Sequence, residues 1–190
     1  HSPFVLAAMK VAPALAAGCT VILKPAENTS LTAIRMAEII EQAGVPAGVF
    51  NLVTGLGAEA GAALSAHHGV NKVAFTGSTQ TGRAVMQAAS GNLKRVTLEL
   101  GGKSPAIVLP DADIPNAIAG LANAIFFNGG QVCVAASRAY IHASIYDEVV
   151  SGIVAIANAM QLGHQLNPQT QMGPLVSIEH AAKVHGYITQ

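Results

Sequence analysis

Cys133 is the residue of this sequence best placed to act as a nucleophile. It follows the end of a predicted helix and the flexible pair Gly129 and Gly130, so a loop could present its thiolate to a pocket. The ordinary alternative is a small buried hydrophobic residue, which is the usual role of a free cysteine. The sequence around Cys133 leaves both interpretations open.

Glu99 is the second candidate, near the end of an apolar strand predicted over 95–100 and just before two glycines. Alternation along the strand places Thr97 and Glu99 on one face and Val96 and Leu98 on the other. Burying a carboxylate there costs free energy unless it has a task, and a buried acid suits a general base. The alternative is an exposed acid at a strand end.

Two glycine-rich turns could bind an anion or a nucleotide. The segment Gly77–Gly82 lies between a predicted strand and a predicted helix, where backbone N–H groups converge. It partly resembles a phosphate-binding P-loop, but Arg83 and Ala84 replace the lysine and the hydroxyl residue, which argues against an ATPase. Gly55 and Gly57 are followed by Gly61, one residue late for the dinucleotide fingerprint. Tight turns of any α/β fold are the alternative for both.

The elements that must position these residues alternate along the chain. Their order predicts an α/β fold with a parallel sheet covered by helices. We place a domain boundary near Gly101 and Gly102, where the loops become longer. Strands are predicted at 20–23, 49–53, 72–76, 95–100, 106–109 and 139–142, and helices over 4–17, 31–43, 113–127, 146–160 and 179–188, with two more ending near 66 and 89.

Composition excludes several classes of protein. Hydrophobic residues make up 51% of the chain and charged residues 11%, against about 25% charged in a typical soluble domain. The hydrophobicity excludes disorder, and Pro115 and several amides interrupt the longest uncharged run, which predicts no membrane-spanning helix. The 10 basic and 10 acidic residues balance, which argues against nucleic-acid binding. Strands buried on both faces would explain the low charge.

The cysteines, histidines and chain ends add weaker expectations. Two cysteines without an export signal predict a reduced, cytoplasmic protein. The seven histidines have no metal-ligand spacing, so no metal site is predicted. Because the chain begins at His1 without an initiator methionine, we expect a segment of a larger protein.

Several segments together resemble the aldehyde dehydrogenase superfamily. Residues 98–105 (LELGGKSP) and 126–133 (FFNGGQVC) are similar to its two signature motifs. Further similarities occur at 13–18 (PALAAG), 23–27 (LKPAE), 43–51 (AGVPAGVFN) and 75–79 (FTGST), so that the resemblance covers the whole chain. It implies a Rossmann-like NAD-binding domain over 1–101 joined to an α/β catalytic domain over 102–190, both incomplete.

The resemblance implies oxidation of an aldehyde to a carboxylic acid with NAD. Cys133 would attack the aldehyde to give a thiohemiacetal, hydride transfer would leave a thioester, and Glu99 would activate the hydrolytic water. An acid at Glu99 favours hydrolysis over transfer of the acyl group to coenzyme A. The alternative function is a catalytically inactive fragment or a scaffold segment of such an enzyme.

The resemblance also implies cofactor contacts. Lys24 and Glu27 are similar to the family's adenosine-ribose contacts, and a glutamate there would repel a 2′-phosphate, so NAD is preferred over NADP. Gly77 and Ser78 correspond to the family's pyrophosphate contact. Gly57 would lie on the adenosine side of the site, and Leu100 would be a further cofactor contact.

Three more expectations follow from the resemblance. His1 falls at or beside the family's oxyanion-stabilising asparagine, and we assign it no oxyanion role. Cys19 is expected in the core. The partners would be a small-molecule aldehyde and further copies of the chain in a homodimer or homotetramer, with no nucleic acid and no membrane.

Overall fold

The computed structural model describes residues 1–189 as alternating helices and parallel strands. The helices are α1 Pro3–Ala16, α2 Ser30–Gln42, α3 Ala62–Ala66, α4 Thr79–Ala89, α5 Ile114–Phe126, α6 Tyr146–Ala159 and α7 Ile178–Ile188. The strands are β1 Val21–Leu23, β2 Phe50–Leu52, β3 Lys72–Gly77, β4 Arg95–Leu100, β5 Pro105–Val108 and β6 Arg138–Ile141. Backbone contacts divide the chain into a first unit, Ser2–Leu100, and a second unit formed by His1 and the residues from Gly101 onward.

The strands pair in parallel, β1 with β2, β3 with β4 and β5 with β6. A helix lies between the two strands of each pair along the sequence, as a parallel connection requires. The predicted α/β class and parallel pairing are therefore confirmed, and the predicted strand limits differ from the observed ones by at most one residue at either end.

Burial of the strands differs from the prediction. Exposed residues alternate with partly buried ones along β4 and with partly buried or buried ones along β5, and Ile22 and Ile107 expose 48% and 70% of their surface. The explanation of the low charge by strands buried on both faces is therefore wrong for residues 1–189. In the β5–β6 pair, one face packs against α5 and α6 while Ile107 and Tyr140, which are partners in register, are exposed on the other.

Local sequence explains where the helices begin and end. Asp113 caps α5, because its Oδ1 accepts a hydrogen bond from the N–H of Asn116 at 3.1 Å, and Pro115 suits the first turn. Ser78 caps α4 in the same way through the N–H of Thr81. Gly18 follows α1 with φ of 75°, a left-handed conformation that a glycine adopts at low cost, as predicted for a helix stop.

Each unit has its own packing centre. In the second unit, Val108, Leu121 and the fully buried Val149 bring together β5, α5 and α6. In the first unit, α4 packs on β3 and β4, and the buried Lys94 donates a hydrogen bond to the backbone oxygen of Ser65 at 2.6 Å. The packing of α4 holds β3 and β4, whose last residues are Gly77 and Leu100.

Candidate cofactor and nucleophile sites

The predicted cofactor residues of the first unit lie at the carboxyl ends of parallel strands. Lys24 directly follows β1, Gly77 is the last residue of β3, and Leu100 is the last residue of β4. Open α/β folds bind their ligands at this edge of the sheet. Lys24 follows β1 of the β1–β2 pair, and Gly77 and Leu100 end the β3–β4 pair, so all three are candidates for nucleotide contacts.

Lys24, Glu27 and Gly57 come together although Gly57 is distant in sequence. Lys24 Nζ donates hydrogen bonds to the backbone oxygens of Pro25 at 2.7 Å and Gly55 at 3.0 Å, and lies 3.7 Å from Glu27 Oε1. Glu27 Oε1 accepts a hydrogen bond from the backbone N–H of Gly57. The glycine loop is thus held by the side chains of Lys24 and Glu27. We call Lys24, Glu27 and Gly57 the ribose cluster, after the role proposed for them below.

The electrostatics of the ribose cluster keep Glu27 ionised. Hydrogen bonds from its own backbone N–H and from that of Gly57 lower the pKa of the Glu27 carboxyl below its ordinary value, and the Lys24 charge acts in the same direction. The Glu27 side chain is 44% exposed and that of Lys24 is 15% exposed. An ionised, accessible carboxylate can accept hydrogen bonds from ligand hydroxyls and repels a phosphate.

The second group of predicted cofactor residues surrounds the start of α4. Gly77 and Leu100 are partners in the β3–β4 register. Ser78 Oγ accepts a hydrogen bond from the backbone N–H of Thr81 at 3.1 Å and lies 2.9 Å from Thr81 Oγ1. Because α4 has 11 residues, its N-terminus carries a partial positive charge that suits an anion such as a pyrophosphate.

Small residues are required around this helix start. A Cβ on Gly77 would lie 3.0 Å from Cε1 of the Phe75 ring. A Cβ on Gly82 would lie 3.1 Å from Leu100 Cδ1. Both positions therefore need glycine for space, and Leu100 acts here as the side chain against which α4 packs.

Glu99 is exposed on β4, so the exposed strand-end acid is the interpretation that fits its surroundings. Its partner in the β3–β4 register is Thr76. The two residues lie on the face opposite Phe75 and Leu98, as the alternation predicts.

Lys10 is a polar residue of this face that the sequence analysis missed. Its Nζ donates a hydrogen bond to Thr76 Oγ1 at 2.7 Å, which links α1 to β3. It is the one charged residue within the apolar helix Pro3–Ala16. A single charge in an otherwise apolar helix was the available signal, because burying a lone cation requires a polar partner.

Cys133 lies in a loop of the second unit and is partly buried. Its backbone N–H donates a hydrogen bond to His1 Nε2 at 3.3 Å. This N–H, next to the thiol, is therefore already paired with the imidazole. A Cβ on Gly102 would lie 3.6 Å from the Cys133 backbone oxygen. Gly102 therefore lies against the backbone of the nucleophile loop.

A turn before Cys133 contains a polar pair that sequence reasoning also missed. The amide side chains of Asn128 and Gln131 each bond to the other residue's backbone. Both belong to the motif at 126–133, and the signal for them was the presence of two amides on either side of a glycine pair.

Cys19 is exposed, so its predicted place in the core is wrong. It follows the end of α1, at a position that the residues described by the structure leave exposed.

Metal binding and membrane crossing are two further properties that residues 1–189 can be checked for by geometry. No group of three or more His, Cys, Asp and Glu side chains within this part of the chain is arranged to hold a metal ion. None of the helices described here combines the length and apolarity that a bilayer crossing requires.

The chain is similar to known proteins over nearly all of its length. The aldehyde dehydrogenase family model matches residues 1–190. The chain is 53% identical to phenylacetaldehyde dehydrogenase of Pseudomonas fluorescens and 47% identical to betaine aldehyde dehydrogenase of Bacillus subtilis, with 98% of this chain covered in each case. The NAD+ complex of an aldehyde dehydrogenase from Bacillus cereus superposes with a TM-score of 0.97 at 48% identity over 99% of this chain.

The similarity covers a minor part of those proteins. This chain spans 37% of the Pseudomonas enzyme and 38% of the Bacillus subtilis enzyme and of the Bacillus cereus structure. Over that shared part, the parallel α/β fold and the motifs at 98–105 and 126–133 agree with the match to the family model. The chain belongs to the aldehyde dehydrogenase family.

Proposed function

We propose that the protein oxidises an aldehyde to a carboxylic acid with NAD. Membership of the aldehyde dehydrogenase family supports aldehyde oxidation in general. The observation that carries the finer proposal is the presence of both Glu99 and Cys133 at the family's signature motifs, with Cys133 on a glycine-rich loop and partly buried. A nucleophile and an acid are the two groups that a thioester route requires.

Cys133 would act first, as the nucleophile. Its thiolate Sγ forms a bond to the aldehyde carbonyl carbon, and the carbonyl oxygen takes the negative charge. NAD, when bound, supplies the acceptor for the hydride that leaves this carbon. The acyl group then stays on Cys133 as a thioester.

Glu99 would act in the second step. Its carboxylate takes a proton from a water molecule, the water oxygen bonds to the thioester carbon, and the Cys133 thiolate leaves with the electron pair of the C–S bond. The products are a carboxylic acid and free enzyme. Glu99 is exposed on β4, so this role is proposed from its place in the motif at 98–105 and not from burial.

The residues at the strand ends fit NAD. Glu27 would accept hydrogen bonds from the adenosine-ribose hydroxyls, and Lys24 would contact the same ribose. Gly57 would lie beside the adenosine. The carboxylate would repel the 2′-phosphate of NADP, which supports NAD as the preferred cofactor. Gly77, Ser78 and the N-terminus of α4 would face the pyrophosphate, with Leu100 packing behind them.

The remaining properties concern the whole protein. We propose a cytoplasmic enzyme that assembles as a homodimer or homotetramer, takes a small-molecule aldehyde and uses neither nucleic acid nor membrane. Because the chain spans 37–38% of these relatives' lengths, the 190-residue chain alone is expected to lack turnover. An inactive or scaffold role is the competing function for the isolated chain.

Substitution of the nucleophile tests the proposal. In the full-length gene product, Cys133→Ala should abolish NADH formation from aldehyde and NAD, whereas the matched control Cys19→Ala, at an exposed position, should keep the wild-type rate. Retained turnover in Cys133→Ala would refute the nucleophile assignment. Absence of NADH formation by the wild-type protein with a panel of aldehydes would favour the non-catalytic role.

A further inference from the structure

The chain enters the Cys133 loop through an unusual turn. Three successive residues, Asn128, Gly129 and Gly130, have positive φ values of 53°, 64° and 73°. Left-handed conformations cost roughly 1–2 kcal/mol for an ordinary L-residue, and asparagine and glycine adopt them most readily. A turn of this kind therefore needs both permissive residues and contacts that hold it.

Two side-chain amides supply those contacts, and we call them the amide clamp. Asn128 Nδ2 donates to the backbone oxygen of Gln131 at 3.0 Å, and Gln131 Nε2 donates to the backbone oxygen of Asn128 at 3.0 Å. The backbone N–H of Gln131 also donates to the Asn128 oxygen, at 3.2 Å. The two residues thus close a reciprocal ring around the two glycines.

A side chain at either glycine of the turn would crowd a neighbouring atom. A Cβ on Gly129 would lie 3.3 Å from Gln131 Nε2, and a Cβ on Gly130 would lie 3.2 Å from the backbone oxygen of Ile125. The turn is therefore built of residues that are individually flexible. Two adjacent glycines without the clamp would sample many backbone conformations, and fixing each residue costs about 1–2 kcal/mol of conformational entropy.

We propose that Asn128 and Gln131 are positioning residues for Cys133, an inference that rests on the proposed function. Gln131 lies two residues before Cys133, and the intervening Val132 N–H donates to the Gly130 oxygen at 2.9 Å. The clamp therefore fixes the backbone from Asn128 to the nucleophile. Neither amide needs to touch the substrate, because each acts by restricting where the Cys133 Sγ points.

The size of the effect follows from the geometry of nucleophilic attack. A displacement of about 1 Å at the reacting atom can cost about 10²-fold in rate. Loss of the clamp should therefore lower kcat and the intrinsic reactivity of the Cys133 thiol together. Affinity for NAD should stay unchanged, because the ribose cluster and Ser78 belong to the other unit of the chain.

Substitutions that remove one amide each test the clamp in the full-length gene product. Asn128→Gly keeps the left-handed conformation accessible and removes the Asn128 donor. Gln131→Met keeps the length of the side chain and removes the Gln131 donor. Asn116→Ala, on an exposed position of α5, is the matched control.

We expect each single variant to lower kcat by about tenfold or more, with the KM for NAD within about twofold of wild type. The rate constant for alkylation of Cys133 by iodoacetamide, measured without cofactor, should fall in parallel. The double variant should be little worse than the worse single variant, because either substitution opens the same ring. Asn116→Ala should leave all these quantities unchanged.

A clamp that serves stability alone would give a different result. Lower thermal stability with wild-type kcat and alkylation rate in both variants would overturn the proposal. If Asn128→Gly does not fold, Asn128→Asp tolerates the same backbone without the amide donor, and its kcat and alkylation rate decide in the same way. Turnover retained in Cys133→Ala would instead refute the proposed function, so the two failures are distinguishable.

Discussion

The ammonium group of Lys10 donates a hydrogen bond to the hydroxyl group of Thr76 across 2.7 Å. This contact joins helix α1 to strand β3 at the register position opposite Glu99. A partly buried hydrogen bond from a charged donor stabilises a fold by about 1.5–3 kcal/mol. The interaction therefore contributes to holding α1 over the face of the sheet that carries Glu99.

Removing either partner of this bond should destabilise the protein. Lys10→Met and Thr76→Val should each lower the free energy of unfolding by about 1–3 kcal/mol. The double variant should lose less than the sum, since the singles remove the same bond. Urea unfolding measures all three, with the exposed Lys72→Met at the other end of β3 as control. Additive losses would contradict a direct interaction.

Substitutions at Ser78 should separate capping from cofactor binding. Ser78→Ala removes the acceptor for the Thr81 N–H and should lower the free energy of unfolding by about 1 kcal/mol. Ser78→Asp retains a capping acceptor, so stability should be kept. Its negative charge at the helix start should nevertheless raise the KM for NAD. An unchanged KM in Ser78→Asp would exclude a pyrophosphate beside this residue.

The Gly57 loop should loosen in acid. Because the pKa of Glu27 is lowered in the folded protein, its carboxylate contributes stability above its ordinary value of 4.5. That contribution is lost as the pH falls below 4.5 and through the folded pKa. Hydrogen exchange of the Gly57 N–H, monitored by NMR, should therefore lose protection over this range. Glu27→Gln should lack this pH-dependent loss, whereas the exposed Glu41→Gln should retain it.

Glu27 should also set the choice of cofactor. Glu27→Gln removes the negative charge that would oppose a 2′-phosphate, so the ratio of kcat/KM for NADP to that for NAD should rise. We expect an increase of about tenfold, which corresponds to about 1.4 kcal/mol. Steady-state kinetics with both cofactors measure it. An unchanged ratio would mean that the ribose cluster does not face the 2′ position.

Glu99→Gln should uncouple the two chemical steps. Acylation of Cys133 should still proceed, while hydrolysis of the thioester should slow by about 10²–10⁴-fold. Rapid mixing should then show a burst of NADH equal to the enzyme concentration, followed by slow turnover. Glu59→Gln, in the loop after Gly57, is the control. A steady-state rate near wild type would exclude Glu99 as the base.

Two glycines in helices of the second unit should respond oppositely to alanine. A Cβ on Gly152 of α6 would lie 3.0 Å from Ile118 Cγ1 of α5, whereas one on Gly120 of α5 meets no atom within 4 Å. Both variants gain the helix propensity of alanine. Gly152→Ala should therefore be less stable than Gly120→Ala by about 1–3 kcal/mol in urea unfolding. Equal stability would contradict the close approach of Gly152 to Ile118.

The spacing of apolar residues and the positions of capping and turn residues predicted the helices and strands of this fold. The strand Arg95–Leu100 and the helix starting at Tyr146 begin where predicted, because apolar periodicity and caps are local properties. Strand order along the chain also explains why Lys24, Gly77 and Leu100 lie at one kind of edge. Each residue ends or directly follows its strand in the sequence, so it lies at the carboxyl end of that strand.

Contacts between distant segments were not predicted. The partners of Lys10 and Glu27 lie 66 and 30 residues away, so no local pattern identifies them. The exposure of Cys19 depends on what packs after Gly18, which the helix stop does not specify. The amide clamp is local, but it requires three left-handed residues in a row, a conformation that amino-acid types permit without enforcing.

The β3–β4 register limits which insertions and deletions the gene can tolerate. Thr76 pairs with Glu99, and Gly77 pairs with Leu100. The positions of Glu99 and of the start of α4 therefore depend on the same alignment of β3 with β4. The stretch 78–94 between them can change in length wherever the two strands keep their pairing. A single-residue deletion within β4 before Glu99 would turn the carboxylate to the opposite face of the sheet. Natural length variation should therefore accumulate in the helix–loop connection and stay absent from the strand.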